Sequence, residues 1–288
     1  MGKALAKNVR SQKDPKTESG AEKNGVAKER GRMDGPQAKI EQLMADLRDV
    51  KSRVPEALAR EFDQRLGISW IYHECALEGV ILSYSEINAA VDQNIISNAS
   101  LIPSYHEIKY LKDAIDWVEE NAPNRKNKVG LDAIRKLYTI LAPEEVPKSI
   151  PYRKDNPLHR LYYHEISSPD KIAYRMRKLA DWFEEDEIKH MHAIERAARA
   201  QFRLMSVFPW TRQTGKVARL LANFMLLRDG YVPAIIHSID RQRYYEALRS
   251  EDKGIVILYQ EALFTSIQTA LRFYDEALAT AARRRVAS

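Results

Sequence analysis

Residues 208–219 read Phe-Pro-Trp-Thr-Arg-Gln-Thr-Gly-Lys-Val-Ala-Arg and run on into LLANFMLLRDGYVP at 220–233, a loop that opens a helix. A glycine and a cation at a helix start favour anion binding, because the first backbone N–H groups are unpaired and the helix dipole points them at the ligand. Thr214-Gly215-Lys216 alone is a weak signal. A phosphate-binding Walker loop needs glycine at position 210, where Trp210 stands, and a preceding strand, which the pattern upstream does not supply.

Outward from this loop the helical period dominates. The spacing predicts helices over 70–77, 84–91, 105–120, 131–141, 169–187, 192–207, 215–229, 241–250 and 256–281, several opened by Ser, Asp or Pro. Ile40, Leu43, Leu47, Val50, Val54, Leu58, Phe62 and Leu66 form one narrow stripe that Pro55 divides or kinks. That stripe suits either a coiled-coil seam for self-association or packing back onto the rest of the chain. One stretch departs from the period. IPYRKDNPLHRLYYHEI, 150–166, mixes turn residues with alternating segments and predicts an extended hairpin. The fold class is therefore all-α with a short β-hairpin, with no internal repeat and one main domain.

The bulk composition restricts the function classes. Of the net charge of +6, residues 1–36 supply +4, nine Lys and Arg against five Asp and Glu, with no aromatic residue. They are read as a disordered basic tail, which could touch acidic surfaces or nucleic acid weakly and in a salt-dependent way. The body is nearly neutral, which does not favour a dedicated nucleic-acid binder. No apolar run reaches membrane-spanning length and no secretory leader precedes the tail. A single cysteine, Cys75, excludes an internal disulfide and suits a cytoplasmic location. His190 and His192 lie two apart and so do not share a helix face as metal ligands would; no metal site is expected. The acidic run Glu184–Glu187 reads as a solvated helix end.

Several ordered segments together resemble the Fic (Fido) family, whose signature is H-x-F-x-[DE]-G-N-G-R-x-x-R at such a loop-to-helix junction. HAIERAARAQFRLMSVFPW resembles the helix leading into that signature, and GKVARLLANFMLLRDGYVPAIIHSIDRQRYYEALRSEDKG the segment after it. WIYHECALEGVILSYSEI is similar to the family's inhibitory helix, [ST]-x-x-x-E-[GN]. The resemblance spans roughly 70–275 and implies a Fic-type helical bundle over 70–280, a helical extension over 37–69 and the tail at 1–36.

The resemblance also implies a site, and this sequence departs from it. Phe208 stands at the histidine that serves as general base and cannot accept a proton. Arg212 replaces the acid that holds magnesium. Gln213 and Thr214 replace glycine and asparagine, removing a residue tolerant of positive φ. Gly215 is kept, Lys216 stands for the first arginine and Arg219 matches the second. Glu78 matches the inhibitory glutamate and is expected to pair with Arg219, while Glu74 replaces Ser or Thr and Val80 replaces Asn. Tyr162, Tyr163 and His164 fall where the family has a flap that docks an extended target segment, and His164 is the one candidate for a substitute base. Thr214, Gly215, Lys216 and Arg219 are thus the expected nucleotide or anion contacts, for ATP or another nucleotide without tightly bound magnesium. Three readings stay open: a Fic protein impaired in AMP transfer that binds a nucleotide or protein partner, a transferase of another phosphate-containing group by altered chemistry, and a structural or interaction module.

Overall fold

The computed structural model describes residues 35–92, 104–145, 151–157 and 164–287. Eleven α-helices are described: α1 Pro36–Arg53, α2 Glu56–Leu77, α3 Tyr84–Val91, α4 Tyr105–Asn121, α5 Leu131–Leu141, α6 Ile172–Glu184, α7 Asp186–His190, α8 Ala193–Val207, α9 Thr214–Arg228, α10 Arg241–Arg249 and α11 Asp252–Ala287. Their boundaries follow local chemistry. Pro55 cannot continue α1, so Val54 turns extended and the proline starts α2, which then runs unbroken past residue 69. Ser83 opens α3 with a reciprocal box: its hydroxyl accepts from the Glu86 N–H, and the Glu86 carboxylate accepts from the Ser83 N–H at 2.8 Å. Gly230 closes α9 in a left-handed conformation, φ 85°, with Tyr231 N–H donating back to the Leu226 carbonyl.

Helix α9 is the axis of the bundle. Every residue from Thr214 to Leu226 is buried, so it has no solvent face. It packs most extensively on α8, then on α5 and α4, while α11 lies along α8, α10 and α1. The polar groups that this burial traps are satisfied. Asn223 accepts from the Ala234 N–H at 2.8 Å and donates to the Ala234 carbonyl at 3.3 Å, fastening the 231–237 segment to the axis.

The narrow N-terminal stripe has a partner in its own chain. Ile40, Met44, Leu47 and Val50 are buried where α1 packs on α11, and Phe62 of α2 packs between Phe273 and Tyr274. Those side chains therefore form part of the core and do not present a free seam.

The hairpin expected over 150–166 falls in part on residue 150 and residues 158–163, which lie outside the described ones; its described arms, 151–157 and 164–166, contain no strand. The described arms bond to the end of α8 and the loop after it, which leaves their backbone groups committed elsewhere. Arg153 N–H donates to the Pro209 carbonyl at 2.9 Å, and Ser167 N–H donates to the Ser206 carbonyl at 2.9 Å. The buried Arg153 guanidinium adds bonds to the Phe208 carbonyl (2.7 Å), the Asp155 carbonyl (3.0 Å), Asn156 Oδ1 (2.7 Å) and the Ser167 carbonyl. Tyr162 and Tyr163 lie outside the described residues, as does the tail over 1–34.

Leu47→Ala removes a fully buried side chain from the α1–α11 contact. Denaturant unfolding should show a loss of about 2–5 kcal/mol, whereas Leu43→Ala on the partly buried edge should cost less.

Candidate functional site

The family-like loop joins α8 to α9, and its shape is set by two residues in left-handed backbone, Phe208 at φ 49° and Gln213 at φ 63°. Loss of glycine at 213 does not abolish the positive φ there, contrary to the expectation from sequence. A left-handed non-glycine residue costs roughly 1–3 kcal/mol, and the surroundings hold it in place. Thr214 Oγ1 donates to the Trp210 carbonyl at 2.8 Å and accepts from the Trp210 N–H at 3.1 Å, closing the loop on itself. Trp210 stacks on Tyr138 of α5 with centroids 4.1 Å apart and planes 18° apart.

The Phe208 ring is 1% exposed, turned into the core instead of toward a site. His164, the substitute base considered above, lies beside it with ring centroids 6.1 Å apart. Its Nε2 is 3.0 Å from the Met205 carbonyl and its ring is buried, so it is placed as a fastener of the arm at 164–168. Arg212 is exposed at the rim. A cation there does not fit a divalent ion, and among the described residues no cluster of three or more His, Cys, Asp or Glu is arranged to hold one.

Lys216 and Arg219 are both buried, and both are held by carboxylates. Lys216 Nζ bonds to Glu107 of α4. Arg219 donates from Nε to Glu74 Oε2 at 2.7 Å, from Nη2 to Glu78 Oε1 at 3.0 Å and from Nη1 to the Tyr244 hydroxyl at 3.3 Å. Glu74 and Glu78 are one helical turn apart on α2 and thus reach the same guanidinium from one face. Two cations meet three carboxylates, so the cluster carries one more acid than base. Burial pushes the Glu74 carboxyl up, and Arg219 opposes that shift. Burial also works to lower the Arg219 guanidinium, but Glu74, Tyr244 and Glu78 override it and hold the group well above its usual range.

The Glu78 carboxylate rests against the start of α9: a Cβ added to Gly215 would lie 2.2 Å from Glu78 Oε1, so a larger residue there requires that side chain to shift. The expected Glu78–Arg219 pair is present. The sequence reading named Glu74 only as the replacement for Ser or Thr and did not single out Glu107, yet these two hold Arg219 and Lys216. Glu74 carried a usable signal, an acid four residues before Glu78 on one helix face; Glu107 carried none locally. Cys75 lies in the same packing, and burial pushes its thiol up to about 12, which makes it unreactive.

A second pair marks the hinge of α2 on the core. His73 and His237 stack with centroids 4.4 Å apart and planes 7° apart, and His73 Nδ1 accepts from the Ser238 N–H at 3.1 Å. Burial, then the neighbouring His237, lowers the His73 imidazole to about 4.

Comparison with known proteins places this geometry. Residues 128–226 match the Fic/DOC family. A protein named "Protein adenylyltransferase Fic" from Nematostella vectensis is 28% identical over 185 residues, 64% of this chain and 43% of that protein. "Protein adenylyltransferase fic-1" from Caenorhabditis elegans is 23% identical over 211 residues, 73% of this chain and 41% of that one. The chain thus spans less than half the length of these relatives. Among solved structures, a Fic domain containing signaling protein from Bacteroides thetaiotaomicron superposes with a TM-score of 0.68 at 22% identity, covering 82% of this chain and 98% of that one. C. elegans Fic-1 gives 0.67 at 22% identity, covering 82% and 72%. These two likenesses show a shared fold.

Gly215→Ala should lower the melting temperature clearly in the wild-type background and much less in a Glu78→Ala background; equal losses in both would remove the assigned contact. For His73, the folded pKa lies below the unfolded value of about 6.5, so the unfolded chain binds the extra proton and stability falls as pH drops from about 6.5 toward 4. Melting scans across that window should show the fall, and His73→Asn should flatten it.

Proposed function

Because the chain carries a domain of the Fic/DOC family, we propose that it is a Fic protein impaired in AMP transfer, whose fold serves chiefly to bind a protein partner. The relatives that it matches are named protein adenylyltransferases, and such chemistry takes AMP from ATP to a protein hydroxyl. The observation that carries the proposal is the state of the two catalytic positions together with the two cations. Phe208 puts a buried ring where a proton acceptor is needed, Arg212 puts a cation where the metal needs an acid, and Lys216 and Arg219 are already held by Glu107, Glu74 and Glu78.

Magnitudes favour this reading. A general base is worth about 10²–10⁴ in rate, roughly 3–5 kcal/mol of barrier, and the metal supplies several kcal/mol more. No residue at the site replaces either. Displacing the three carboxylates would leave a buried charge without its partner on at least one side, a cost of about 3–5 kcal/mol for each pair broken.

A second reading, nucleotide binding without transfer, is supported by the loop itself. Gln213 and Thr214 keep its shape, and Gly215 keeps the start of α9 approachable once Glu78 leaves. ATP or another nucleotide would then meet backbone N–H groups, Lys216 and Arg219, with no role for tightly bound magnesium. A transferase using altered chemistry would need a base that the geometry does not offer, since His164 is buried against Met205.

Labelled ATP with magnesium or manganese and a cell lysate should give no labelled protein, for the wild type and for Glu78→Gly alike. Robust labelling that disappears in Arg219→Ala would overturn the proposal. Thermal-shift scans separate the two binding readings. No shift with nucleotides in the wild type, and a shift in Glu74→Gln/Glu78→Gly, is the expected result; a wild-type shift abolished by Lys216→Ala would favour the nucleotide reading.

A further inference from the structure

A cleft of about 540 Å³ opens beside the arm at 164–168, on the face of α8 that turns toward α6 and the end of α10. Its charged lining is Arg175 and Lys178 of α6, Arg203 of α8 and Arg249 of α10, against Glu165 and Asp252. Four cations therefore face two carboxylates, and of the four Arg203 is acted on by Asp252 and by the nearby Glu185. Asp252 is engaged by Arg199 at 3.3 Å, and Glu165 is exposed. Lys178 makes one exposed pair with Asp181 at 3.4 Å, a contact of small energetic value. Arg175 and Arg249 make no ion pair among the described residues. Arg203 is held against the wall by the Trp182 ring, its guanidinium carbon 4.8 Å from the centroid.

The other basic cleft shows that this arrangement is not a general property of the surface. Around Asp229, Arg125 and Arg196 are both paired with that carboxylate, Lys189 with Glu184, and Arg228 with the carbonyls of Arg125 and Asn127. Of its five cations only Lys128 makes neither an ion pair nor a hydrogen bond among the described residues, whereas in the cleft beside the arm both Arg175 and Arg249 make no ion pair.

We infer that the cleft bounded by Arg175, Lys178, Arg203 and Arg249 is a docking site for an acidic, partly apolar peptide segment of a protein partner. The inference rests on the partner-binding reading and names the partner's chemistry. Three features select a peptide. The cations come from three separate helices and are spread around the opening, whereas a single phosphate is bound by donors that converge on one point. Ile166, Phe202 and Leu248 line the walls between them, so apolar side chains have a place between the carboxylates. The volume also falls within the roughly 300–1,000 Å³ usual for a binding cleft. One wall is the arm that Arg153 fixes to the loop after α8, so a segment lying there is held at a set distance from Phe208.

Fluorescence anisotropy of the full chain with a short fluorescein-labelled peptide, Glu alternating with Val or Ser, tests the inference. Its counterpart with Gln for every Glu is the control. The wild type should bind the Glu peptide, with affinity falling as salt rises, and should bind the Gln peptide at least about tenfold more weakly. Arg175→Glu/Arg249→Glu should lose at least about tenfold, Arg175→Gln/Arg249→Gln should lose less, and Lys128→Glu in the other cleft should change nothing. Both arginines are exposed and make no ion pair among the described residues, so unchanged melting temperatures are expected. Absence of wild-type binding, equal binding of the two peptides, or binding untouched by the double reversal would each overturn the site. The ATP-labelling assay reads separately: labelled protein there would sink the impaired-transfer reading and leave the peptide result standing.

Discussion

The Arg219 guanidinium is the interaction on which the arrangement of the helices around the site depends. It sits in the middle of α9, 1% exposed, and receives Glu74 and Glu78 from α2 and Tyr244 from α10. A charge so deep in apolar surroundings is tolerable only if its donors are met in good geometry. The requirement runs both ways, because Glu74 is as buried as its partner and would be stranded by any movement of α2. Lys216 repeats the pattern three residues earlier by reaching Glu107 on α4. The start of α9 is consequently joined by ionic contacts to α2 and α4 and by a hydrogen bond to α10, and Gly215 is the gap through which one of those carboxylates approaches.

On the proposed reading, that arrangement makes the site one closed from within instead of merely worn away. The loop has kept its left-handed turns at Phe208 and Gln213 although neither residue is glycine, with the Thr214 hydroxyl tying both ends of the turn. Its backbone could still receive an anion. What fills the position is a side chain of the protein, supported by two further acids, and an incoming phosphate has to outcompete groups that are already desolvated and covalently tethered nearby. Tethering gives such side chains a high effective concentration, which is why a modest pair of carboxylates can hold off a free ligand.

Much of this was legible in the sequence, and the reasons for the rest are physical. Helix spans followed from apolar period and from end signals such as Pro55, Ser83 and Gly230, which act within a few residues. The Glu78–Arg219 pair was accessible through resemblance. Glu107 was not, because its partner lies 109 residues away and nothing local records such a contact, whereas Glu74 could have been found from the helix face that it shares with Glu78. In the 150–166 segment alternation and turn residues suggested strands pairing with one another; beside its described arms, the Arg153 and Ser167 N–H groups bond to the end of α8 and its following loop. Replacement of glycine at 213 did not remove the left-handed turn, since tertiary contacts can hold a residue in a conformation that it would not choose alone.

Arg153 fastens two points, near 153 and near 167, against the same short piece of backbone at 206–209. With both anchors fixed, the chain between them is a closed excursion whose ends do not depend on what it contains. Entropy penalises lengthening such an excursion only weakly, roughly 0.6 kcal/mol for each doubling. A change of chain length between the anchors should therefore cost the bundle little, so long as Asn156 still reaches Arg153 and His164 the Met205 carbonyl, which makes the interval a practical site for grafting a foreign epitope.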